Sequence, residues 1–524
     1  MRFNPVTRRT VLGSVVLAAL ILAAAWIWTD PARKRAATNE RFEQVECWFG
    51  VTFSAKTICG WLTVPERRDA PNGTELRLPV VILKRSDEAN SNPPIVFLNG
   101  GPGAPNNLDD DDVISGWWDF MALLPYGYDL ILFDQRGTGV GEPNLHCPEL
   151  VHPDNWLGVG QRPGEYVDTL EPMYEAVARC RDRILERGYD LTAFNTRQGA
   201  ADVDALRRTL GVERVILLGS SYGTEVGLGI MRYHPEGVHS AILDSVSPPQ
   251  TDSLRDLPVN LHASISRVFA DCVADRACAE AYPDLRKSFE QTVLRFAREP
   301  AELVLQPPDG SPELYFKLDD VGFIDILFSA LYDPRSVSAM PYLIHRAAHG
   351  RLLPLQPYAE RLYFDPYWTD LAAGMALSVN CHDEAPFTSR QENGSVAELY
   401  PLLKNWAEEM WSYDPCRLWP SSQAEAVQNS AVQSDIPTLL LAGAYDPVTP
   451  PAFARLAAQT LSDGHVFVFP GAAHSPFFSE SCTLDLLLKF LEDPRRRPDS
   501  ACLLELKPPQ FFILNGHEDR AEPY

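Results

Sequence analysis

The chain has 524 residues, 45% of them apolar and 22% charged, enough for one large globular core with an inserted second domain. Its formal net charge of −24 at pH 7 argues against nucleic acid as a partner, because the phosphates would be repelled. The same charge selects no other partner, since exported proteins are often acidic.

Residues 1–36 differ in character from all that follows. Arg2, Arg8 and Arg9 precede an almost wholly apolar run from Val11 to Trp28, and Arg33-Lys34-Arg35 come after it. A run of 18 residues just spans a bilayer, and Trp26 and Trp28 stand where an interfacial aromatic belt would. Ala23-Ala24-Ala25 equally offers small residues to a signal peptidase, and Thr7 to Leu12 loosely resembles a twin-arginine export signal. The expectation is therefore an export signal or a membrane anchor. Residues 11–28 would be the attachment, and the working compartment extracytoplasmic: periplasmic, membrane-anchored or secreted. Cysteine usage agrees. The ten cysteines contain no Cys-x-x-Cys pair, so neither zinc nor redox chemistry is signalled. Disulfides persist outside the cytoplasm. Connectivity does not follow from sequence, and nearest-neighbour pairing (47–59, 147–180, 272–278, 381–416, 482–502) is the simplest expectation.

Taken in order, residues 37–248 read as the first part of an α/β core. Cys47 to Gly50 and Cys59 to Pro65 suggest the strands of an N-terminal hairpin, followed by strands at Leu78 to Lys84 and Pro94 to Leu98. Asn99-Gly100-Gly101-Pro102-Gly103 comes next, with more glycine than ordinary packing needs. The acidic run Asp109 to Asp112 reads as a solvated loop, and it lacks the ligand spacing of a calcium loop. Asp129 to Phe133 is a strand entering Asp134-Gln135-Arg136-Gly137, and Gly199 to Leu210 has the apolar spacing of a helix. Val215 to Leu218 is an unbroken apolar run, as expected of a buried parallel strand, and a helix is predicted from Thr224 to about His234. Ala241 to Asp244 forms a further strand. Residues 249–430 then carry helical patterns, notably Leu261 to Ala274 and Tyr282 to Phe296. The α/β pattern returns over 431–505, with strands at Pro437 to Ala442 and His465 to Phe469 around a helix from Pro451 to Thr460. Residues 506–524 form a tail without assignment. The fold class is thus a doubly wound, mostly parallel α/β sheet with an inserted, mainly helical lid over the strands' carboxyl ends.

Between the Val215 strand and its helix stands Gly219-Ser220-Ser221-Tyr222-Gly223, a G-x-S-x-G match in strand–turn–helix context. Such a turn exposes Ser221 above the sheet edge, at a helix N-terminus that favours developing negative charge. A serine hydroxyl needs a base and an orienting acid, expected in the order Ser, Asp or Glu, His on loops after later strands. Asp446 follows the first late strand. His474 follows the second, 28 residues on, and of the eleven histidines it alone has this placement. Donors for a tetrahedral oxyanion would be the Tyr222 amide and the loop Gly100 to Gly103.

Gly100-Gly101-Pro102-Gly103, Asp134-Gln135-Arg136-Gly137 and Gly219 to Gly223 together resemble the prolyl aminopeptidase and tripeptidyl aminopeptidase family of α/β-hydrolases. Cys59-Gly60 with Val64-Pro65, Leu243-Asp244-Ser245, Asn380-Cys381 and Tyr445 to Pro450 resemble its exported tripeptidyl branch. The resemblance runs from about Glu43 to Cys502. It implies Ser221 as nucleophile, Asp446 as orienting acid, His474 as base, and the Gly101 and Tyr222 amides as the oxyanion hole. It calls for no cofactor and no metal. Asn99 departs from the His usual in prolyl aminopeptidases, which weighs against strict proline specificity. Asp134 and Arg136 read as a structural pair bracing loops near the site. The implied activity is release of residues or short peptides from free amino termini; an esterase acting on a small acyl substrate would use the same triad. Asp383 and Glu384, beside Cys381, are either lid acids that read the substrate's ammonium or ordinary surface charges.

Overall fold

A computed structural model describes residues 39–50, 56–84, 92–125 and 127–514. The expected export segment lies outside them. The apolar runs form strands β1 (Arg41–Val45), β2 (Lys56–Pro65), β3 (Glu75–Lys84), β4 (Ile95–Leu98), β5 (Leu130–Phe133), β6 (Val159–Gly160), β7 (Val215–Ser220), β8 (Val238–Asp244), β9 (Ala301–Leu305), β10 (Leu314–Leu318), β11 (Thr438–Gly443) and β12 (Gly464–Phe469). Nine of them build one sheet in the order β1-β2-β3-β5-β4-β7-β8-β11-β12. β1, β2, β3 and β5 pair antiparallel, and every pairing from β5 through β4 to β12 is parallel.

Helices cover both faces, so the parallel strands are apolar on both sides. Along β7, Val215 and Leu217 enter one core while Ile216 and Leu218 enter the other; on β11, Leu440 and Ala442 oppose Leu439 and Leu441 in the same way. The chain leaves β4 for β5 on one side and returns to β7 on the other. The loops after β4 and β7 therefore diverge, and the divergence opens a crevice at the carboxyl ends of these strands.

The segment between β8 and β11 is mainly helical, with long helices at Ser253–Ala274, Leu285–Phe296 and Asp320–Tyr332. It builds its own apolar cluster around Leu261, Phe289, Phe323 and Leu327, and Tyr445, Ala473 and Phe511 join that cluster from outside the insertion. Three features depart from the sequence expectation. β9 and β10 form a hairpin inside the insertion, and β10 pairs with β6 to complete a small antiparallel sheet. The first strand of the N-terminal hairpin is Arg41–Val45, before the Cys47 to Gly50 stretch. The acidic run does not stay a loop: Asp110 caps the helix Asp111–Leu123 by accepting from the Asp112 and Val113 amides at 2.8 and 3.1 Å. Carboxylates in a first turn face the positive end of the helix dipole.

All ten cysteines are bonded, as 47–59, 147–180, 272–278, 381–416 and 482–502. This is the nearest-neighbour pairing. No helix among the described residues is long and apolar enough to cross a membrane.

Asp134 and Arg136 are both buried, but they are not partners. Arg136 donates to both oxygens of Asp202 at 2.7 Å and to the carbonyls of Glu66 and Ala193 at 3.0 and 2.6 Å. Asp134 accepts instead from the Asn106 and Val140 amides at 2.7 and 3.1 Å. Burial pushes the Asp134 carboxyl up to about 6 despite those two bonds. The reason for the misreading is distance in sequence: the guanidinium's planar fork finds its carboxylate on a helix 66 residues later. Arg136→Met should lower the unfolding free energy by roughly 3 kcal/mol, the lower end for breaking a buried pair, because Arg68 still reaches Asp202. Chemical denaturation checks this; an unchanged midpoint would mean that Arg136 compensates no buried charge.

Candidate active site

Ser221 stands between β7 and the helix Tyr222–Tyr233 with φ 55° and ψ −126°, a conformation that costs a non-glycine residue on the order of 1–3 kcal/mol. Its neighbours leave it no other. A Cβ on Gly223 would lie 2.0 Å from the Leu98 carbonyl oxygen, and one on Gly100 would lie 2.9 Å from the Ser221 Cβ. The Ser221 amide donates to Asp244 O at 2.9 Å, and the Thr224 amide and hydroxyl return to Ser221 O at 2.8 and 2.6 Å. The strain thus aims the side chain outward.

Asp446 is completely buried in the loop after β11. Its Oδ1 accepts from the Val448 and Thr449 amides, both at 2.9 Å. Its Oδ2 accepts from Ser245 Oγ at 3.0 Å, Thr449 Oγ1 at 2.7 Å and His474 Nδ1 at 2.8 Å. Burial alone would raise this carboxyl, but His474 and the Thr449 donors hold it below the usual carboxylate range. The bond to Asp446 keeps the ring proton on Nδ1, so Nε2 presents a lone pair. Nε2 is buried and has no partner among the described residues.

Ser221 and His474 line one cavity of about 290 Å³ in the crevice, with Asn99 and Gly100 from the loop after β4. The insertion supplies the opposite wall, including Phe328, Tyr332 and Trp368. Tyr332 stacks on His474 with ring centroids 4.5 Å apart and planes 25° apart. Asn99 closes its own loop: its Nδ2 donates to Pro105 O, and its Oδ1 accepts from the Gly100 amide, both at 2.8 Å. Tyr222 opens its helix, so its amide has no intrahelical acceptor. Neither that amide nor the Gly101 amide meets an acceptor among the described residues.

The structure does not bring Asp383 and Glu384 onto this cavity. Asp383 is buried, accepting from the Thr196 amide at 2.9 Å and His382 Nδ1 at 2.7 Å. Glu384 accepts from Ser253 Oγ at 3.1 Å. Asp383 is thus no surface charge, while Glu384 is half-buried. With Glu225, one turn along the helix from Ser221, they form an acidic cluster; Glu225 and Asp383 line a small separate cavity together with Arg197 and Arg232. Burial, reinforced by Glu384 and Asp383, pushes the Glu225 carboxyl far up, and burial lifts Glu384 to about 7.

Glu225, Ser245, Thr449 and Tyr332 escaped the sequence reading. Ser245 and Thr449 flank strand ends in segments already quoted for their resemblance, so a signal existed for both. Tyr332 reaches His474 across the insertion, and nothing local marks it. Among the described residues, the groups whose spacing could ligate a metal are Cys147–Glu149–Cys180 and Asp204–His234–Glu236. Neither contributes to the cavity lining, and the two cysteines are bonded to each other.

The serine protease Hip1 of Mycobacterium tuberculosis is 24% identical over 468 residues, covering 85% of this chain and 86% of that protein. The tripeptidyl aminopeptidase of Streptomyces lividans is 24% identical over 416 residues, covering 75% and 73%. Carboxylesterase B of Mycobacterium tuberculosis is 25% identical over 524 residues, covering 94% and 95%. The model of the alpha/beta hydrolase fold family matches residues 93–481. That span begins just before β4 and ends at the first residue of the helix after His474, so it takes in every strand from β4 to β12, and the chain belongs to the alpha/beta hydrolase fold family.

Proposed function

We propose that the protein is a serine exopeptidase that releases residues or short peptides of prolyl or tripeptidyl type from free amino termini. The observation that carries the reading is His474, fixed at Nδ1 by a buried Asp446, with an unpartnered Nε2 in the cavity of the strained Ser221. Ser221 Oγ attacks the substrate carbonyl carbon and gives its proton to His474 Nε2. Asp446 stays ionised and stabilises the imidazolium. The amides of Gly101 and Tyr222 receive the oxyanion, each worth about 3–4 kcal/mol of barrier. His474 then passes the proton to the leaving nitrogen, the C–N bond breaks, and water activated by the same imidazole releases the acyl group. The insertion serves as the lid over this crevice.

The ammonium of a free amino terminus needs carboxylates whose charge is not already matched. Asp333, on the catalytic cavity, is matched: burial would raise it, but Ser336, the Arg335 amide and Arg361 hold it low. We assign that role to Glu225, Asp383 and Glu384: burial and the neighbouring acids push two of the three upward, and Arg232 offsets Glu225 only in part. The peptidase relatives and the five disulfides support an enzyme working outside the cytoplasm. The likeness to carboxylesterase B supports a second reading, hydrolysis of small acyl esters by the same triad.

Ser221→Ala should melt like the wild type while kcat falls by roughly 10⁴-fold or more. Full activity in that variant, or wild-type activity abolished by a chelator, would refute the mechanism. N-acetylating a good peptide substrate should lower kcat/KM by about tenfold to 150-fold, the ~1.5–3 kcal/mol of a hydrogen bond to a charged group. Glu225→Gln should shrink that difference. Asp365 also lines the catalytic cavity and accepts from the Tyr367 amide at 2.9 Å; if Asp365→Asn removes the difference and Glu225→Gln does not, the ammonium is read on the catalytic cavity instead. Equal cleavage of free and blocked peptides by the wild type leaves the esterase reading. The free-over-blocked ratio should also rise with pH. A carboxyl raised to about 7 is neutral below that pH and charged above it, while the substrate ammonium persists to about 8.

A further inference from the structure

We propose that the apolar groove between the helix Asp111–Leu123 and the segment Phe477–Leu484 is the subsite for the leaving chain, and that it selects peptides with apolar side chains just after the scissile bond. The proposal rests on the catalytic reading above and names the substrate class. The groove has a volume of about 580 Å³, with walls that include Trp117, Phe120, Leu123, Phe477 and Phe478. Leu123 and Phe478 are each 57% exposed. Such large side chains contribute most when an apolar ligand removes them from water.

Continuity and direction identify the occupant. Phe478 lines both the catalytic cavity and the groove, so the two share a wall. Trp117 joins them from behind, its ring centroid 4.6 Å from Phe97 at the end of β4 and 6.2 Å from Phe478. The Phe120 and Phe477 rings continue the aromatic surface outward at 5.7 Å. His474 must deliver its proton to the leaving nitrogen, so the departing chain lies on the His474 side of the reacting carbon. The groove wall starts three residues after His474. The leaving peptide, emerging with its new amino group at His474, therefore meets Phe478 first and the groove next. A lipid surface fits poorly. No Lys or Arg lines the groove, Glu480 does, and Asp109 to Asp112 stand exposed at the head of the helix; anionic headgroups require the opposite sign.

The test uses the full chain and substrates sharing one amino-terminal acyl portion. That portion is followed by Leu-Phe-Leu, by Ser-Gly-Ser, or by 4-nitroaniline with no chain at all. The wild type should cleave the Leu-Phe-Leu peptide with kcat/KM about tenfold above the Ser-Gly-Ser peptide, chiefly through KM. Leu123→Asp, at an exposed position away from the catalytic cavity, should bring the ratio near unity and leave nitroanilide turnover unchanged. Equal turnover of the two peptides by the wild type, or an advantage that survives Leu123→Asp, overturns the proposal. If esters are hydrolysed and no peptide is, the exopeptidase reading fails by itself. The groove is then decided by whether free Leu-Phe-Leu inhibits ester turnover in the wild type and loses that effect in Leu123→Asp. Sedimentation with anionic vesicles, or a dimer, either one abolished by Leu123→Asp without a change in peptide preference, would assign the face to lipid or to a second copy and overturn the proposal.

Discussion

A single buried carboxylate holds this site together. Taking Asp446 out of water costs several kcal/mol, and only a full set of donors in good geometry repays that cost. The donors come from three places: Ser245 past the end of β8, Val448 and Thr449 in the loop after β11, and His474 in the loop after β12. Each must be in register for the charge to be tolerated, so three strand ends are fixed relative to one another by one side chain. The insertion is bound to the same point. Ser264 Oγ donates to Asp446 O at 3.1 Å, Asn260 Nδ2 to Val448 O at 3.0 Å, and the Tyr445 hydroxyl to Asp271. Inserting the extra segment between β8 and β11 therefore places it where the buried Asp446 already has to be held.

The strained serine is the complementary half. Its φ of 55° goes with the close approach of the Gly223 and Gly100 backbones and with the bond from the Ser221 amide to Asp244 O. Ser220 Oγ pairs with Ser475 Oγ at 2.9 Å, and the Ser475 amide donates to Ser245 Oγ at 2.8 Å. The Ser221 turn and the His474 loop are thus linked through hydroxyls. Preorganisation of this kind is what lets a neutral hydroxyl act as nucleophile without rearrangement at each turnover.

What was legible in the sequence follows from what is local. Strand β7, its Gly-flanked turn and its helix are contiguous, so periodicity and turn chemistry identify them together, and the order of Ser221, Asp446 and His474 falls on strand ends for the same reason. The family match agrees with that core. Features set by distant packing were hidden. Arg136 takes Asp202 rather than Asp134, and Tyr332 comes onto His474 from a helix 142 residues before it. Asp383 and Glu384, read as either lid acids or surface charges, stand off the Ser221 cavity together with a third acid, Glu225, that no motif announces. The β9–β10 hairpin was legible in principle, since Pro308-Asp309-Gly310 sits between two alternating runs; the helical periodicity on both sides obscured it.

The way the insertion is bound also constrains how substrate enters. Tyr445 and Ala473, the residues just before Asp446 and His474, are fully buried in the insertion's own apolar cluster. Swinging the insertion away as a rigid door would expose both, unstack Tyr332 from His474 and remove the donors to Asp446 O and Val448 O. Each of those losses falls on Asp446 or His474. Under the proposed mechanism, access by wholesale opening would dismantle the chemistry it is meant to serve. The edge by Phe478 carries no such burden: that ring is more than half exposed, and it belongs to the core rather than the insertion. A site whose cover is part of its catalytic support has to be entered and left along its rim, and here the rim is aromatic.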